Sequence, residues 1–414
     1  MRSDKRGYYS EEDFEKEFGG RLSGEDGSGS DHQKFSIGRR GKKKEKKGRK
    51  RREKVGGKKN SRKKTVIIVL ASLIILIAAG AMLGYFFLLN KLDKVDRVDV
   101  SKEDLNIDPR VAEELKDYQN ILLLGIDTNP QLKEDDDKAR SDGIIIVSIN
   151  KKTKDVKLIS IYRDSFLDVE ENGYHRIDKV NHAHAYGGPV NTIRALNRNL
   201  DLNIESYVRL NWRTVADVVN GMGGLEVNVE EKTRTELNRV IDASAKNLGV
   251  DRAMLDTSGP QTLDGIQIVG FCRMRMADGD DARAGRMREV IDSGFNKMKT
   301  MKLSELNNVV DLGLSQVQTS LSSKEMMGML MDINSYRIGE SLGWPLKWEG
   351  TMIDGVSYDI PVTLKTNVIE LHEKAFGQKD YKPTDGVLKI NERIKSKSGY
   401  YGEEGTDYNY LEWE

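Results

Sequence analysis

The longest apolar run of the chain lies near its N-terminus. Thr65–Asn90 contains 26 consecutive residues without a charged side chain. About 20 apolar residues suffice for a helix to cross a bilayer, so this run predicts one transmembrane helix. Aromatic residues near its end suit the membrane interface. An Ala-Gly-Ala sequence inside the run resembles a signal-peptidase site, but the long preceding flank favours an uncleaved signal anchor.

Beyond this run, short apolar stretches alternate with amphipathic ones, which is typical of an α/β layered domain. Strands are predicted at Asn120–Ile126, Gly143–Ile149, Val156–Tyr162, Tyr207–Leu210, Leu225–Val229 and Val356–Pro361. Helices are predicted at Asp178–Tyr186, Val190–Leu200, Arg213–Asn220, Ala282–Met301, Lys302–Val317, Lys324–Asn334 and Asn367–Phe376. The stretch Gln267–Met274 fits either a helix or a strand.

One predicted helix, Ala282–Met301, has a well-defined apolar face. Its apolar positions recur at helical spacing, and Asp280 or Asp281 is placed to cap its first turn. These positions are Met287, Val290, Ile291, Phe295 and Met298.

The pattern divides the chain into five segments. Residues 1–64 form a polar, basic segment that we expect to be disordered, and residues 65–90 form the transmembrane helix. Residues 91–118 are a charged stalk, residues 119–389 a folded domain, and residues 390–414 a loose polar tail.

Charge orients these segments across the membrane. Residues 1–64 carry 23 Lys and Arg against 11 Asp and Glu, whereas the remaining residues carry 44 against 55. Positive charge on the N-terminal flank predicts a single-pass protein of the cell membrane with a cytoplasmic N-terminus and an extracellular C-terminal domain. Residues 39–64 hold 17 Lys and Arg and two acids, which suits either nucleic acid or, as we favour, a topology signal resting on anionic lipids. Cys272 is the only cysteine, so the chain has no intrachain disulfide, which fits a bacterial envelope protein.

The usual catalytic sequence motifs are missing. No GxxxxGK[ST] loop, GxGxxG turn after a strand, or G-x-S-x-G elbow occurs. His182 and His184 form an H-x-H pair, but no third ligand has metal spacing, so we interpret them as helix-surface or packing residues.

Arginine and aspartate residues instead recur at the ends of the apolar elements. Five of them flank the first three predicted strands: Asp127, Arg140, Asp142, Arg163 and Asp164. Five more follow later in the chain: Arg273, Arg275, Asp280, Arg283 and Arg286. Strand ends are where α/β proteins place ligand sites, and converging guanidinium groups suit a phosphate or pyrophosphate. Asp127 and Asp142 on adjacent strand ends suit a Mg²⁺ that bridges phosphate oxygens. The alternative is that these residues form ordinary surface ion pairs.

Taken together, the motifs resemble the LytR–CpsA–Psr family of bacterial cell-envelope proteins. The resemblance runs from about Asn120 to Thr300 and rests on NILLLGIDT, RSDGIIIVSIN, KLISIYRDS, HRIDKVNHAHAYGG, VRLNW with GMGGLEVNV, and GDDARAGRMREVI, in that order. It implies an α/β domain with helices on both faces of its sheet, enclosing a core open enough for a prenyl tail. It also implies a phosphotransferase that moves a glycopolymer from undecaprenyl pyrophosphate to peptidoglycan.

The resemblance assigns roles by motif. Asp127 and Asp142 correspond to ligands of Mg²⁺ (or Mn²⁺), and Arg140, Arg163, Arg273, Arg275 and Arg283 to pyrophosphate-binding residues. Asp280 corresponds to an acidic residue that orients this cluster, and Lys179 and Asn181 flank the phosphate site. Arg163 and Asp142 are the residues expected to act in catalysis. Many members carry Arg-Gln where this chain has Arg286-Met287, so we expect one polar contact to the headgroup to be absent.

Two other functions stay open on the sequence alone. A membrane-tethered regulator or sensor would bind the lipid pyrophosphate without turnover, although it would not need the metal-binding aspartates. Nucleic-acid binding through the basic tail would be steeply dependent on salt, and we expect no nucleic-acid partner.

Overall fold

The computed structural model describes residues 87, 89–128, 136–275, 279–313 and 316–400, and of residues 279, 280 and 303 the backbone alone. The strands are β1 (Asp96–Arg97), β2 (Tyr118–Ile126), β3 (Ser141–Asn150), β4 (Asp155–Ile161), β5 (Phe166–Glu171), β6 (Tyr174–Lys179), β7 (Ile204–Asn211), β8 (Leu225–Val229), β9 (Gly259–Leu263), β10 (Gln318–Thr319), β11 (Arg337–Ile338), β12 (Leu342–Trp344), β13 (Trp348–Ile353) and β14 (Val356–Pro361). The helices are α1 (Pro109–Glu114), α2 (His182–Leu200), α3 (Trp212–Gly221), α4 (Glu231–Leu248), α5 (Gly265–Arg273), α6 (Gly279–Thr300), α7 (Leu303–Gly313), α8 (Ser323–Met331), α9 (Leu364–Phe376) and α10 (Asp385–Ser398).

The main sheet is mixed. Its strand order is β1-β10-β7-β2-β3-β4-β11, and β12 also pairs with β4. The central strand β2 is antiparallel to β3 and parallel to β7, and β3 is antiparallel to β4. The carboxyl ends of β2, β4 and β7 therefore meet the amino end of β3 at one end of the sheet.

Two apolar cores lie on the two faces of this sheet. Successive side chains of a strand point to opposite faces, so β2 contributes Leu122 and Leu124 to one core and Ile121 to the other. The first core also contains buried residues of α2, α9 and α10, and the second contains those of α3, α4 and α5. Helices therefore cover both faces, which confirms the predicted α/β layered fold.

The predicted strands are confirmed, and Gln267–Met274 falls on the helix α5. The helix predicted from Asp178 begins too early, because β6 continues to Lys179 and α2 begins at His182. Within α2 the backbone is not helical at Gly187 and Gly188, and Gly188 has a φ of +66°. That left-handed value favours glycine, and it separates the first turn of α2 from the predicted helix that follows Pro189.

The predictions for the stalk and the tail are wrong where the structure describes them. Leu105, Val111 and Leu115 are fully buried in the first core, so the stalk belongs to the folded domain. The helix α10 extends to Ser398, with Ile390 and Ile394 in the same core. Both segments are rich in charged residues, so the few apolar residues that pack into the core do not form a recognisable pattern in the sequence.

Most of the predicted membrane segment lies outside the described residues, as do residues 1–64 and 401–414. In the described part of the chain, none of the helices has the length and apolar character needed to cross a membrane.

Candidate active site

The strand ends that meet at one end of the main sheet bring the predicted polar residues together. Asp127 follows β2, Asp142 is the second residue of β3, and Arg163 lies two residues beyond β4. They border a cavity of about 560 Å³, which we call the first polar cavity. It is lined by Asp127, Arg140, Asp142, Arg163, Asp164, Lys179, Asn181, His182 and Val356.

Carboxylates of this cavity are paired with cations. Nη1 of Arg163 lies 2.6 Å from Oδ1 of Asp142, and Nζ of Lys179 lies 3.0 Å from Oδ1 of Asp164. Nη2 of Arg273 lies 3.0 Å from Oδ2 of Asp127. These contacts fix the side chains while leaving them in or beside the cavity, where they can meet an anionic ligand.

Asp127 and Asp142 also line a second polar cavity of about 270 Å³, together with arginines from α5 and the region of α6. Its lining consists of Asp127, Asp142, Trp212, Cys272, Arg273, Arg275, Arg283 and Met287. Arg283 is 5% exposed and donates from Nη2 to the backbone carbonyl oxygen of Asp142 at 3.1 Å. Five predicted arginines thus converge on the same two aspartates.

An apolar cavity of about 340 Å³ lies next to the second polar cavity. It is bordered by the sheet and by residues of α3 and α6, and it shares Trp212, Cys272 and Met287 with the second polar cavity. The five apolar positions predicted on α6 all line it. Burial raises the pKa of the Cys272 thiol to about 12, so this cysteine stays neutral and forms part of the apolar wall.

Asp280 is the predicted site residue whose side chain the structure does not describe. Its backbone lies in the first turn of α6, which begins at Gly279. The prediction that Asp280 or Asp281 precedes and caps this helix is therefore wrong. Asp281 instead accepts a hydrogen bond of 2.6 Å from the hydroxyl of Tyr162.

His182 and Asp178 belong to the site although we interpreted the histidine pair as helix-surface or packing residues. His182 lines the first polar cavity, and its Nδ1 lies 3.1 Å from Oδ2 of Asp178. His184, by contrast, is buried and contacts the carbonyl oxygen of Ala139 through Nδ1 at 2.8 Å, which is a packing role. The spacing of four residues between Asp178 and His182 is the sequence feature that could indicate their contact. It would do so within one helix, but Asp178 lies on β6 and His182 begins α2.

Two aspartates in one cavity fit a divalent cation in the chemistry of their donor atoms. Among the described residues, no group of three or more His, Cys, Asp or Glu side chains is arranged to hold a metal ion. Mg²⁺, however, is commonly bound by one or two carboxylates together with substrate phosphates and water. Oδ1 of Asn181 adds a buried acceptor on the same cavity that has no hydrogen-bond partner in the described part of the chain.

The model of the LytR_cpsA_psr family matches residues 87–374. This chain belongs to the LytR–CpsA–Psr family. The match includes all the strands given above and the residues that line the three cavities, but it ends within α9 and leaves out α10. It extends the resemblance seen in the sequence motifs at both ends.

Relatives in the family have names that state an activity. The polyisoprenyl-teichoic acid–peptidoglycan teichoic acid transferase TagT of Bacillus subtilis is 32% identical over 267 residues, which cover 64% of this chain and 79% of that protein. The corresponding transferase TagU of Enterococcus faecalis is 31% identical over 287 residues, covering 67% and 84%.

Solved structures share the fold. A structure described as TagT bound to LI-WTA is 25% identical with a TM-score of 0.50, and it covers 73% of this chain and 100% of its own. A protein from Streptococcus agalactiae is 25% identical with a TM-score of 0.53, covering 66% and 92%.

Proposed function

We propose that this chain is a membrane-anchored phosphotransferase that attaches a glycopolymer, such as teichoic acid or capsule, from undecaprenyl pyrophosphate to peptidoglycan. The observation that carries the proposal is that an arginine-lined polar cavity and an apolar cavity adjoin each other and share Trp212, Cys272 and Met287 in their walls. A ligand with a pyrophosphate head and a hydrocarbon tail needs both environments side by side. The names of the transferases TagT and TagU agree with this chemistry.

The reaction needs no protein nucleophile. A sugar hydroxyl of peptidoglycan attacks the phosphorus next to the glycan, and the bond from that phosphorus to the bridging oxygen breaks. The electron pair leaves on the lipid phosphate. Phosphoryl transfer of this kind is catalysed mainly by positioning and by charge stabilisation, which Arg163, Arg273 and Arg283 are placed to supply.

Asp127 and Asp142 would hold a Mg²⁺ or Mn²⁺ ion. Such an ion would neutralise charge on the pyrophosphate oxygens when bound. The two aspartates line both polar cavities, so their carboxylates face the position where the phosphates and the arginines meet. The metal proposal predicts that Asp127→Asn and Asp142→Asn lower the affinity for the ion.

The apolar run Thr65–Asn90 would anchor the domain at the outer face of the membrane. The prenyl chain of the substrate stays in the bilayer, so an anchored enzyme meets it at the membrane surface. This proposal explains why a domain with its own core would carry such a run.

Arg163→Ala tests the function in the full-length protein, purified in detergent and supplied with a lipid-pyrophosphate oligosaccharide, peptidoglycan and Mg²⁺. Arg163 is 16% exposed in its side chain and paired with Asp142, so its loss removes a positioned cation. By analogy with the removal of one oxyanion donor, we expect the transfer rate to fall by about 10²–10³.

Arg337→Ala is the matched control. Arg337 is 71% exposed in its side chain and pairs with Asp155 at the start of β4, the strand end opposite to the site. Wild-type transfer that survives undiminished in Arg163→Ala would contradict the assignment. Binding of the donor by the wild type without any transfer would favour the regulator or sensor instead.

A further inference from the structure

We propose that His182 is the general base that removes the proton from the acceptor hydroxyl, with Asp178 as its positioning residue. The inference rests on the proposed function, because it names the group that activates the acceptor in that reaction. It concerns the first polar cavity, whose lining includes Lys179, Asn181 and His182 from the junction of β6 and α2.

The geometry of the pair favours a histidine that accepts a proton. Nδ1 of His182 lies 3.1 Å from Oδ2 of Asp178. The two atoms are not aligned for a hydrogen bond, but the negative charge beside Nδ1 favours the tautomer that carries its proton there. Among the described residues, no protein group hydrogen-bonds Nε2. The ring lines the cavity with a side chain that is 16% exposed, so Nε2 is available to a bound hydroxyl.

Asp178 is held as a carboxylate by the groups around it. Its side chain is 5% exposed, and it contacts the hydroxyl of Tyr186 at 3.1 Å and Nε of Arg176 at 3.4 Å. On its other oxygen it accepts from the backbone N–H of Lys179 at 2.8 Å and from the hydroxyl of Tyr358 at 3.4 Å. Burial alone raises its pKa, but the nearby His182 and the hydrogen bond from the backbone N–H of Lys179 lower it to about 2. An ionised Asp178 stabilises the imidazolium that forms when His182 accepts a proton.

The pair is fixed beside the pyrophosphate-binding arginines. The backbone N–H of Asn181 donates to the carbonyl oxygen of Arg163 at 3.2 Å, and that of Val180 donates to Ser165 at 2.9 Å. These bonds lock the first turn of α2 against the segment that carries Arg163. The neighbouring Asn181 is 3% exposed, and its orphan Oδ1 is a second polar atom in this part of the cavity.

The other acidic groups of the cavity are less suited to this role. Asp142 pairs with Arg163, Asp127 with Arg273, and Asp164 with Lys179. Each carboxylate is therefore committed to a cation, and two of them are the proposed metal ligands. Histidine is the residue most often used as a general base.

The acceptor O–H bond breaks, its proton passes to Nε2 of His182, and the oxygen forms a bond to the phosphorus next to the glycan. The bond to the bridging oxygen breaks, and the lipid phosphate leaves with the electron pair. The imidazolium then loses its proton to solvent or to the departing phosphate.

The test uses full-length protein in detergent with a lipid-pyrophosphate oligosaccharide donor, peptidoglycan and Mg²⁺. We expect His182→Gln to lower kcat by about 10²–10⁴, while the donor KM and the affinity measured for the donor stay unchanged. The fall of kcat/KM at acidic pH in the wild type should disappear in the variant. The variant keeps Asp178 and Tyr186, which contact the ring, and Lys179 and Asp164, which line the same cavity, so this loss would belong to the imidazole. It also keeps Arg176 and Tyr358, which contact Asp178.

His175→Gln is the matched control, because Nδ1 of His175 also lies 2.9 Å from an aspartate oxygen, that of Asp168. His175 lines none of the three cavities, and its replacement should leave transfer unchanged. A second variant, His182→Ala, removes the ring, and added free imidazole should restore part of its activity. If His182 only stabilised the fold, free imidazole would not restore the activity of His182→Ala.

The inference is overturned if His182→Gln transfers within about threefold of the wild type with the same acidic limb. It is also overturned if the variant loses donor affinity in proportion to its activity, which would indicate a binding role. In both cases wild-type transfer continues and the proposed function stands. Absence of transfer by the wild type would instead reject the proposed function, and this inference with it.

Discussion

Charge is distributed unevenly among the side chains that line the polar cavities. The two linings contain three carboxylates, those of Asp127, Asp142 and Asp164. They contain six cations: Arg140, Arg163, Lys179, Arg273, Arg275 and Arg283. Each carboxylate holds a neighbouring cation in position, yet positive charge remains in excess among these residues. The ion pairs therefore hold these cations in place without a ligand, as charge stabilisation of the proposed transition state requires.

A stability measurement can isolate the contribution of Asp178. The pKa of Asp178 in the folded chain is about 2, below the ordinary value of 3.8, so ionised Asp178 stabilises the fold. This stabilisation is fully present above about pH 5 and is lost as the pH falls from about 4 toward 2. We expect it to be on the order of 2 kcal/mol.

Urea unfolding of the wild type and of Asp178→Asn, at several pH values, measures this contribution. The difference in unfolding free energy between the two proteins should be constant above about pH 5 and should shrink toward pH 2. Other carboxylates titrate in both proteins and cancel in the difference. A difference that stays flat over this range would show that Asp178 is not stabilised in its ionised form.

Much of the site could be predicted residue by residue from arginines and aspartates at strand ends. Such positions predict a common site because the ends of β2, β4 and β7 and the start of β3 lie at the same end of the sheet. His182 could not be recognised in this way. Its partner Asp178 lies on a different element, and the proximity of both to Arg163 depends on backbone hydrogen bonds that no sequence spacing reveals.

At the scale of elements, strands with long apolar runs were predictable because both faces of the main sheet are covered. The hairpin of β5 and β6 was missed because its strands are largely polar. Its turn nevertheless has a recognisable signal, Asn172-Gly173, with φ values of +52° and +83°. Two consecutive positive φ values are typical of the tight turn that Asn-Gly favours.

The helix α6 shows how an amphipathic pattern can mislead about what it buries. Its apolar face from Met287 to Met298 was expected from the sequence, but that face lines a cavity. At 1.5 Å per residue the two methionines are about 16 Å apart along the helix axis. The cavity thus offers a long apolar wall next to Arg283, as a prenyl chain would need.

Gly294→Leu tests whether this cavity holds the lipid chain. Gly294 lines the cavity, and a Cβ there would lie 3.8 Å from Cδ1 of Leu225, so an added side chain would occupy the space without a backbone clash. We expect the affinity for long prenyl pyrophosphates to fall about tenfold or more, while that for inorganic pyrophosphate is retained.

Asn296→Leu provides the control, because it adds the same side chain to an exposed position of α6. Competition assays with a short and a long prenyl pyrophosphate distinguish the two variants. Equal losses for the short and long chains in Gly294→Leu, or an equal effect of both variants, would argue against lipid in this cavity.

On the scale of the whole molecule, the two faces of the sheet have different roles. One face packs against α2, α9 and α10. Its core also includes buried residues of the segment 91–118, which was predicted to be a stalk. The other face, with α3 and α6, borders the apolar cavity. The first face is thus filled by packed side chains, whereas the second leaves an apolar cavity beside its core. The periodicity of the individual elements does not predict this difference.

The proposed orientation across the membrane makes a prediction that uses the single cysteine. Cys272 is 3% exposed and its pKa is raised to about 12 by burial, so the wild type should react poorly with maleimides. A cysteine introduced by Lys389→Cys, at an exposed position of α10, should react with a membrane-impermeant maleimide in intact cells. A cysteine introduced by Ser23→Cys should react only after lysis, because basic residues before an apolar run favour a cytoplasmic N-terminus.

Reaction of Ser23→Cys but not of Lys389→Cys in intact cells would reverse the proposed orientation, and reaction of both would exclude it. The expected pattern would have a mechanistic consequence. Peptidoglycan and the glycan of the lipid-linked donor would then lie on the same side of the membrane as the arginine cluster. The acidic excess of residues 65–414 would lie there too, so the positive cavities would stand out against a negative domain as the place where a pyrophosphate binds.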